Sequence, residues 1–75
     1  MWVAEVQLMQ DLITMAKNQR NLIADMVNCR RSENKLAPIE INDIVEVEDY
    51  AKTHADPLRL LAVSCAKLAF GYPIK

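Results

Sequence analysis

The side chains best suited to catalysis are few in this sequence and stand far apart. There is one histidine, His54, and the two cysteines, Cys29 and Cys65, do not form a C-x-x-C pair. Nucleophilic catalysis by cysteine needs a neighbouring base, and a zinc site needs a cluster of His and Cys ligands. The sequence shows neither pattern, so we expect a protein that is not an enzyme and has no metal or cofactor. We interpret both cysteines as reduced core residues and His54 as a cap at a helix C-terminus.

Basic and aromatic side chains could instead bind a ligand that contains phosphate. Guanidinium groups pair with phosphate oxygens in a bidentate manner, and tyrosine rings stack on nucleotide bases. The sequence has no Gly-rich phosphate loop, so such a ligand would sit in a pocket between subunits. The candidate ligand-binding residues are Arg20, Arg30, Arg31, Tyr50 and Tyr72.

Charge is distributed unevenly along the chain, although the net charge is only −1. Residues 17–35 contain five basic and two acidic side chains, and residues 40–49 contain five acidic and no basic ones. The acidic run lacks the glycine of an EF-hand loop, so we interpret it as a solvated helix face rather than a cation site. The alternation of sign suits antiparallel packing or self-association. The nearly wholly apolar segment at 58–70 would make a poor recognition helix, which argues against sequence-specific DNA binding.

A long amphipathic helix is predicted over residues 3–31, because this segment has no glycine or proline and its apolar residues recur at helical spacing. The apolar residues form two seams side by side, and both are interrupted in the same turn, at Gln19 and Arg20. One neighbouring helix cannot cover both seams. The first seam comprises Trp2, Val6, Met9, Ile13, Ala16, Ile23 and Val27. The second seam comprises Leu8, Leu12, Met15, Leu22, Met26 and Cys29.

Two shorter helices are predicted in the second half of the chain. One is expected over about 43–54, with Asn42 or Asp43 as its N-cap and Glu46 completing a capping box with Asp43. The other is expected over about 57–70, because Asp56 can cap a helix that begins with Pro57. Laid end to end, these two helices match the predicted length of the first one.

The fold class predicted from these elements is all-α, with one domain over residues 1–75. The long helix packs antiparallel against the two shorter helices, which are broken at Asp56-Pro57, and this helical hairpin associates with itself. Self-association is expected because 52% of the residues are hydrophobic, whereas a domain this small buries only about 60% of its unfolded surface. The predicted interface comprises Trp2, Val6, Met9, Ile13, Ile23, Val27, Leu60 and Phe70.

The C-terminal segment has a pattern of its own, in which Asp56-Pro57 is followed by Leu61-Ala62-Val63, Leu68, Gly71 and Tyr72. This pattern resembles the C-terminal helix of the small phage anti-CBASS proteins, which sequester cyclic oligonucleotides. The resemblance implies a helical homo-oligomer with ligand pockets between subunits. An aliphatic residue, Leu60, stands where that family usually has an aromatic one, and no binding residue is carried over from the family.

From the sequence we expect a small non-enzymatic helical protein that associates with itself and binds another protein as a regulator, adaptor or inhibitor. The alternative is a homo-oligomer, of the phage anti-defence type, that sequesters a phosphate-containing ligand such as a cyclic oligonucleotide. A third possibility is an enzyme subunit or a fragment of a larger assembly, in which the exposed seams pack on a different protein. The sequence shows neither a secretion signal nor a run of about 20 apolar residues, so we expect a cytoplasmic protein that does not enter a membrane.

Overall fold

The computed structural model of the chain describes residues 2–16 and 20–74, with the side chains of residues 4–16 and 20–74. The described residues form the helices α1 (Trp2–Met15), α2 (Arg20–Glu33), α3 (Ile41–Lys52) and α4 (Pro57–Phe70). No strand occurs among these residues, which confirms the predicted all-α class. None of these helices is long and apolar enough to cross a membrane.

The prediction of one helix over residues 3–31 is wrong. Helix α1 ends at Met15 and α2 begins at Arg20. At 1.5 Å per residue, a single helix over 3–31 would extend about 43 Å, whereas the longest dimension of the molecule is 32 Å. The division coincides with the polar turn that interrupts both apolar seams, although Asn18 and Gln19 of that turn lie outside the described residues.

Helix α4 is the element on which the other three helices pack. Helices α1, α2 and α3 each contact α4 more extensively than α1 contacts α2. The polar residues of α4 are only Arg59, Ser64 and Lys67, so this helix is apolar on nearly every side and needs several neighbours. The division of the N-terminal segment lets α1 and α2 both cover α4. The predicted hairpin of one long helix against a two-helix arm is therefore not confirmed.

Capping by acidic side chains determines where α3 and α4 begin. The Asp56 carboxylate accepts a hydrogen bond from the backbone N–H of Arg59 at 3.4 Å, in the first turn of α4. Helix α3 begins at Ile41, earlier than predicted, because Glu40 is its N-cap residue. The Asp43 carboxylate then accepts a hydrogen bond from the N–H of Glu40 at 2.9 Å. These contacts satisfy backbone donors that the first turn of a helix leaves unpaired.

The core uses a different apolar seam in each half of the N-terminal segment. In α1 the buried residues are Leu8 and Leu12, which belong to the second seam. In α2 the buried seam residues are Ile23 and Val27, which belong to the first seam. The change of seam is possible because α1 and α2 are separate helices with separate orientations. The other buried apolar residues are Ala24, Ile44, Val47, Ala51, Leu61, Ala62, Cys65, Ala66 and Ala69.

Candidate functional site

Arg20, at the start of α2, forms an ion pair with α3. Its guanidinium donates a hydrogen bond to the Glu48 carboxylate, and Lys52 Nζ lies 3.8 Å from the same carboxylate. The hydrogen bond to Glu48 and its negative charge hold the pKa of Arg20 above its usual value. The Arg20 side chain is half exposed, but its charge is already paired. Its position in the structure links α2 to α3.

Arg31, near the end of α2, donates hydrogen bonds to two backbone carbonyls. Its Nε–H donates to the carbonyl of Ala37 at 2.6 Å, and its Nη1–H donates to the carbonyl of Leu68 at 2.6 Å. The first carbonyl lies in the connection to α3 and the second lies in the last turn of α4. Charged donors make strong hydrogen bonds, so Arg31 joins three parts of the fold.

Arg30 has different partners from its neighbour. It pairs with Glu33 at 2.9 Å, and its guanidinium carbon lies 5.9 Å from the centroid of the Phe70 ring. Each of the three predicted arginines therefore has its own contacts within the chain. The structure does not bring them together into one phosphate site.

Tyr50 and Tyr72 do come together, in a groove between α3 and the segment that follows α4. The groove has a volume of about 640 Å³. Tyr50 is 37% exposed and Tyr72 is 51% exposed, so both rings are open to a ligand. We term this site the α3/C-terminal groove, and it is lined by Asp43, Glu46, Val47, Tyr50, Leu68, Tyr72, Pro73 and Ile74. The two charged lining residues are acidic, which disfavours a phosphate group.

One wall of the groove follows from helical spacing. Asp43, Glu46 and Tyr50 stand at positions i, i+3 and i+7, and such positions share one face of a helix. Considered separately, the acidic run and the tyrosine do not reveal this shared face, whereas their helical spacing does. The other wall, formed by residues 72–74, depends on the direction in which the chain leaves α4, which the spacing of residues does not reveal.

Gly71 determines that direction at the end of α4. Its φ of 79° lies in the left-handed region, which favours glycine. The N–H of Gly71 donates to the carbonyl of Leu68 at 3.1 Å, and the next N–H, of Tyr72, donates at 2.8 Å to the carbonyl of Lys67. Such paired bonds are typical of a helix that ends at glycine. A Cβ atom at Gly71 would lie only 2.9 Å from Leu36 Cδ1, so the end of the Leu36 side chain would have to shift, whereas the backbone conformation itself favours glycine.

A second surface lies where α1 meets α4. Two shallow depressions, of about 290 Å³ and 310 Å³, share Val63 as a lining residue. The first includes residues of α1, and the second is lined by α4 and by residues just before it. Val6, Met9 and Leu60, which the sequence predicted as interface residues, lie on this surface and are half buried. We term it the α1/α4 face, and its lining residues are Glu5, Val6, Met9, His54, Asp56, Arg59, Leu60, Val63, Ala66, Lys67 and Tyr72.

The remaining predicted interface residues differ in their surroundings. Ile13 and Phe70 are half buried and pack against the core. Ile23 and Val27 are 1% and 0% exposed, so their prediction as interface residues is wrong: α2 turns the first seam inward and α4 covers it. The side chain of Trp2 lies outside the described residues.

Cys65 and Cys29 also differ in their exposure. Cys65 is buried as predicted, and burial raises the pKa of its thiol to about 12, which keeps it protonated. Cys29 is exposed, so its prediction as a core residue is wrong, because α2 turns the second seam outward. Within the described ranges, no group of three or more His, Cys, Asp or Glu side chains is placed to hold a metal ion.

His54 lies just after the end of α3. Its Nδ1 atom is 2.9 Å from the carbonyl oxygen of Tyr50, and its ring packs edge-on against the Tyr50 ring with centroids 4.7 Å apart. A histidine here can cap the last carbonyls of a helix. The contact also orients the Tyr50 ring beside the α3/C-terminal groove.

No protein-family model matches this chain, and no curated protein or solved structure matches it. The resemblance of the C-terminal segment to the anti-CBASS helix stays a prediction. The function of the protein is therefore inferred from the geometry and charge of its two surfaces.

Proposed function

We propose that this chain is a small non-enzymatic protein that associates with itself and binds another protein as a regulator, adaptor or inhibitor. The observation that carries the proposal is the half-buried apolar strip on the α1/α4 face. Partly exposed apolar strips that are bordered by charged residues are typical of surfaces that bind proteins.

The α4 part of this strip has the spacing of helices that pack side by side. Besides Leu58 and Leu68, the half-buried residues of α4 recur at intervals of three, four and three positions, which is the spacing of the a/d positions in paired helices. These residues are Leu60, Val63, Lys67 and Phe70. Val6 of α1 lies beside Val63 and widens the apolar strip. The face therefore suits packing against α4 of a second copy of the chain.

Opposite charges on the same face favour a two-fold arrangement. One depression is lined by Glu5 and Lys67, and the other is lined by Asp56 and Arg59. In a two-fold dimer the same patch meets itself, so an acidic side chain of one copy can approach a basic side chain of the other. A standard interface buries about 800 Å² on each partner, which is about one sixth of the 4954 Å² that this molecule exposes.

The cysteines support a cytoplasmic location within this proposal. Cys29 is exposed, Cys65 is buried, and both are free thiols. Free thiols stay reduced in the cytosol, whereas oxidising compartments favour disulfides. We therefore place the protein in the cytoplasm.

A charge exchange across the interface tests the self-association. Glu5→Lys and Lys67→Glu each place like charges across a two-fold interface, and each is expected to weaken the dimer about tenfold. The combined variant, Glu5→Lys with Lys67→Glu, restores opposite charges and is expected to recover most of the wild-type affinity. Sedimentation equilibrium measures the dissociation constants, and circular dichroism shows that each variant is folded. If the combined variant dimerises more weakly than either single variant, the two-fold arrangement is contradicted.

The phosphate-ligand alternative stays a prediction with its own test. Arg20, Arg30 and Arg31 are engaged in separate contacts, so a pocket between copies would need at least one of them to exchange partners. Thermal unfolding is measured with and without cyclic dinucleotides. A stabilisation that disappears in Arg20→Ala or Arg30→Ala would support ligand sequestration, and unchanged unfolding would favour protein binding.

A further inference from the structure

The α3/C-terminal groove combines an apolar interior with aromatic and acidic side chains at its opening. Val47 is 4% exposed and Leu68 is half buried, so their side chains form the inner part of the groove. Tyr50 and Tyr72 are the more exposed aromatic residues beside them, and Glu46 is exposed on α3. Such a site can hold an aliphatic side chain inside and a charged group at the opening.

The charge of the groove is negative. Asp43 is held in place by the hydrogen bond that its carboxylate accepts from the N–H of Glu40, and Glu46 follows one turn later on the same face of α3. Lys67 lies on the α1/α4 face instead, and its Nζ donates to the carbonyl of Ile74 at 3.5 Å. Among the described residues, the lining includes two carboxylates and no basic side chain.

We propose that this groove binds a segment of a partner protein that presents a lysine or arginine next to an aliphatic side chain. The cationic group pairs with Glu46 and lies over the face of Tyr50, where the ring quadrupole attracts a cation. The aliphatic neighbour packs against the half-buried Leu68 inside the groove. This inference rests on the proposed protein-binding function and names the chemistry of the partner.

The α3 wall of the groove is separate from the self-association face, although the C-terminal wall touches that face through Lys67–Ile74 and Glu5–Tyr72 hydrogen bonds. Tyr72 lines both, whereas the α3 residues line only the groove. A second copy on the α1/α4 face therefore leaves the α3 wall accessible. A dimer would present two such grooves, and a partner with two basic segments would gain apparent affinity from binding both.

Binding is tested with a synthetic helical peptide of leucine, lysine and alanine, in which leucine and lysine recur on adjacent faces. A matched peptide replaces every lysine with glutamate. Each peptide is titrated into the full chain labelled with ¹⁵N, and the backbone amide shifts are recorded. We expect saturable shifts at groove residues such as Glu46, Val47 and Tyr50 with the lysine peptide, and no such shifts with the glutamate peptide.

Three variants locate the binding site. Glu46→Lys is expected to weaken binding of the lysine peptide about tenfold, because a like charge replaces the pairing carboxylate. Tyr50→Ala is expected to weaken it about threefold, whereas Tyr50→Phe keeps the ring and the affinity. Glu33→Lys is the matched control, because it makes the same change of charge on α2, away from the groove, at a side chain that is also exposed.

Several results would overturn the inference. These are failure of the lysine peptide to bind, equal binding of the glutamate peptide, and equal weakening by Glu33→Lys and Glu46→Lys. Loss of self-association in Glu46→Lys would show that the groove is a contact between copies. Peptide binding by a chain that stays monomeric would support the groove and reject the dimer, whereas a dimer that binds no peptide would reject only the groove.

Discussion

Arg31 shows how a charged residue can have a structural role that its sequence context hides. Its two acceptors, the carbonyls of Ala37 and Leu68, lie six and 37 positions away along the chain. The sequence reveals the charge of an arginine but not partners at such distances. This explains why Arg31 was predicted to bind a ligand, whereas the structure shows that it stabilises the backbone.

Replacement of Arg31 tests this structural role. Arg31→Ala is expected to lower the free energy of unfolding by about 2 kcal/mol, because two carbonyls lose a charged donor. Arg30→Ala is the matched control and is expected to cost less than about 1 kcal/mol, since it removes an exposed ion pair and a partly exposed cation–π contact. Urea denaturation measures both values. Equal losses of unfolding free energy in Arg31→Ala and Arg30→Ala would contradict the structural role of Arg31.

The buried thiol of Cys65 makes stability depend on pH in the alkaline range. Burial, with a smaller contribution from Glu48, raises the pKa of Cys65 from 9.0 to about 12. Well below pH 9.0 the thiol is neutral in both the folded and the unfolded chain. Above that value mainly the unfolded chain loses the proton, so this contribution to stability falls until the pH reaches about 12.

Comparison with a variant isolates this effect from other titrating groups. Cys65→Ala lacks the thiol, so wild type is expected to lose stability relative to Cys65→Ala as the pH rises above 9.0. Urea denaturation followed by circular dichroism at several pH values measures the difference. A difference that stays constant across this range would contradict the burial of a neutral thiol.

At the scale of elements, local signals predicted the start of α4 better than the extent of the N-terminal helix. Asp56-Pro57 is a capping signal whose effect is confined to neighbouring residues, and α4 begins at Pro57. The division between α1 and α2 has no glycine or proline to mark it. It depends on how many sides of α4 must be covered, and the spacing of residues within one segment does not encode this requirement.

The turn at Gly71 can be tested by adding a single methyl group. Gly71→Ala is expected to lower the free energy of unfolding by about 1–2 kcal/mol. A Cβ atom is unfavourable at positive φ and would also lie too close to the Leu36 side chain. In the Leu36→Ala background the added cost is expected to be smaller, since the steric part is removed and the backbone part remains. Urea denaturation of wild type, the two single variants and the double variant gives the loss of unfolding free energy in each background. A neutral Gly71→Ala substitution would contradict the described end of α4.

At the scale of the whole molecule, the total exposed surface is close to that of a compact monomer of the same mass. The chain exposes 4954 Å², and a compact monomer of 8.5 kDa exposes about 4,650 Å². Because α1 and α2 both pack on α4, we expect the chain to fold without a partner. We therefore expect reversible association of folded monomers, in which the α1/α4 face serves recognition rather than folding.

Sedimentation equilibrium of wild type and two valine variants tests this claim most directly. Wild type is expected to shift from monomer to dimer across the micromolar range, and Val63→Glu is expected to stay monomeric because it places a charge at the residue that lines both depressions. Val45→Glu makes the same change at a half-buried position on α3, away from the face, and is expected to dimerise like wild type. A wild type that stays monomeric, or a Val63→Glu variant that dimerises like wild type, would contradict the account.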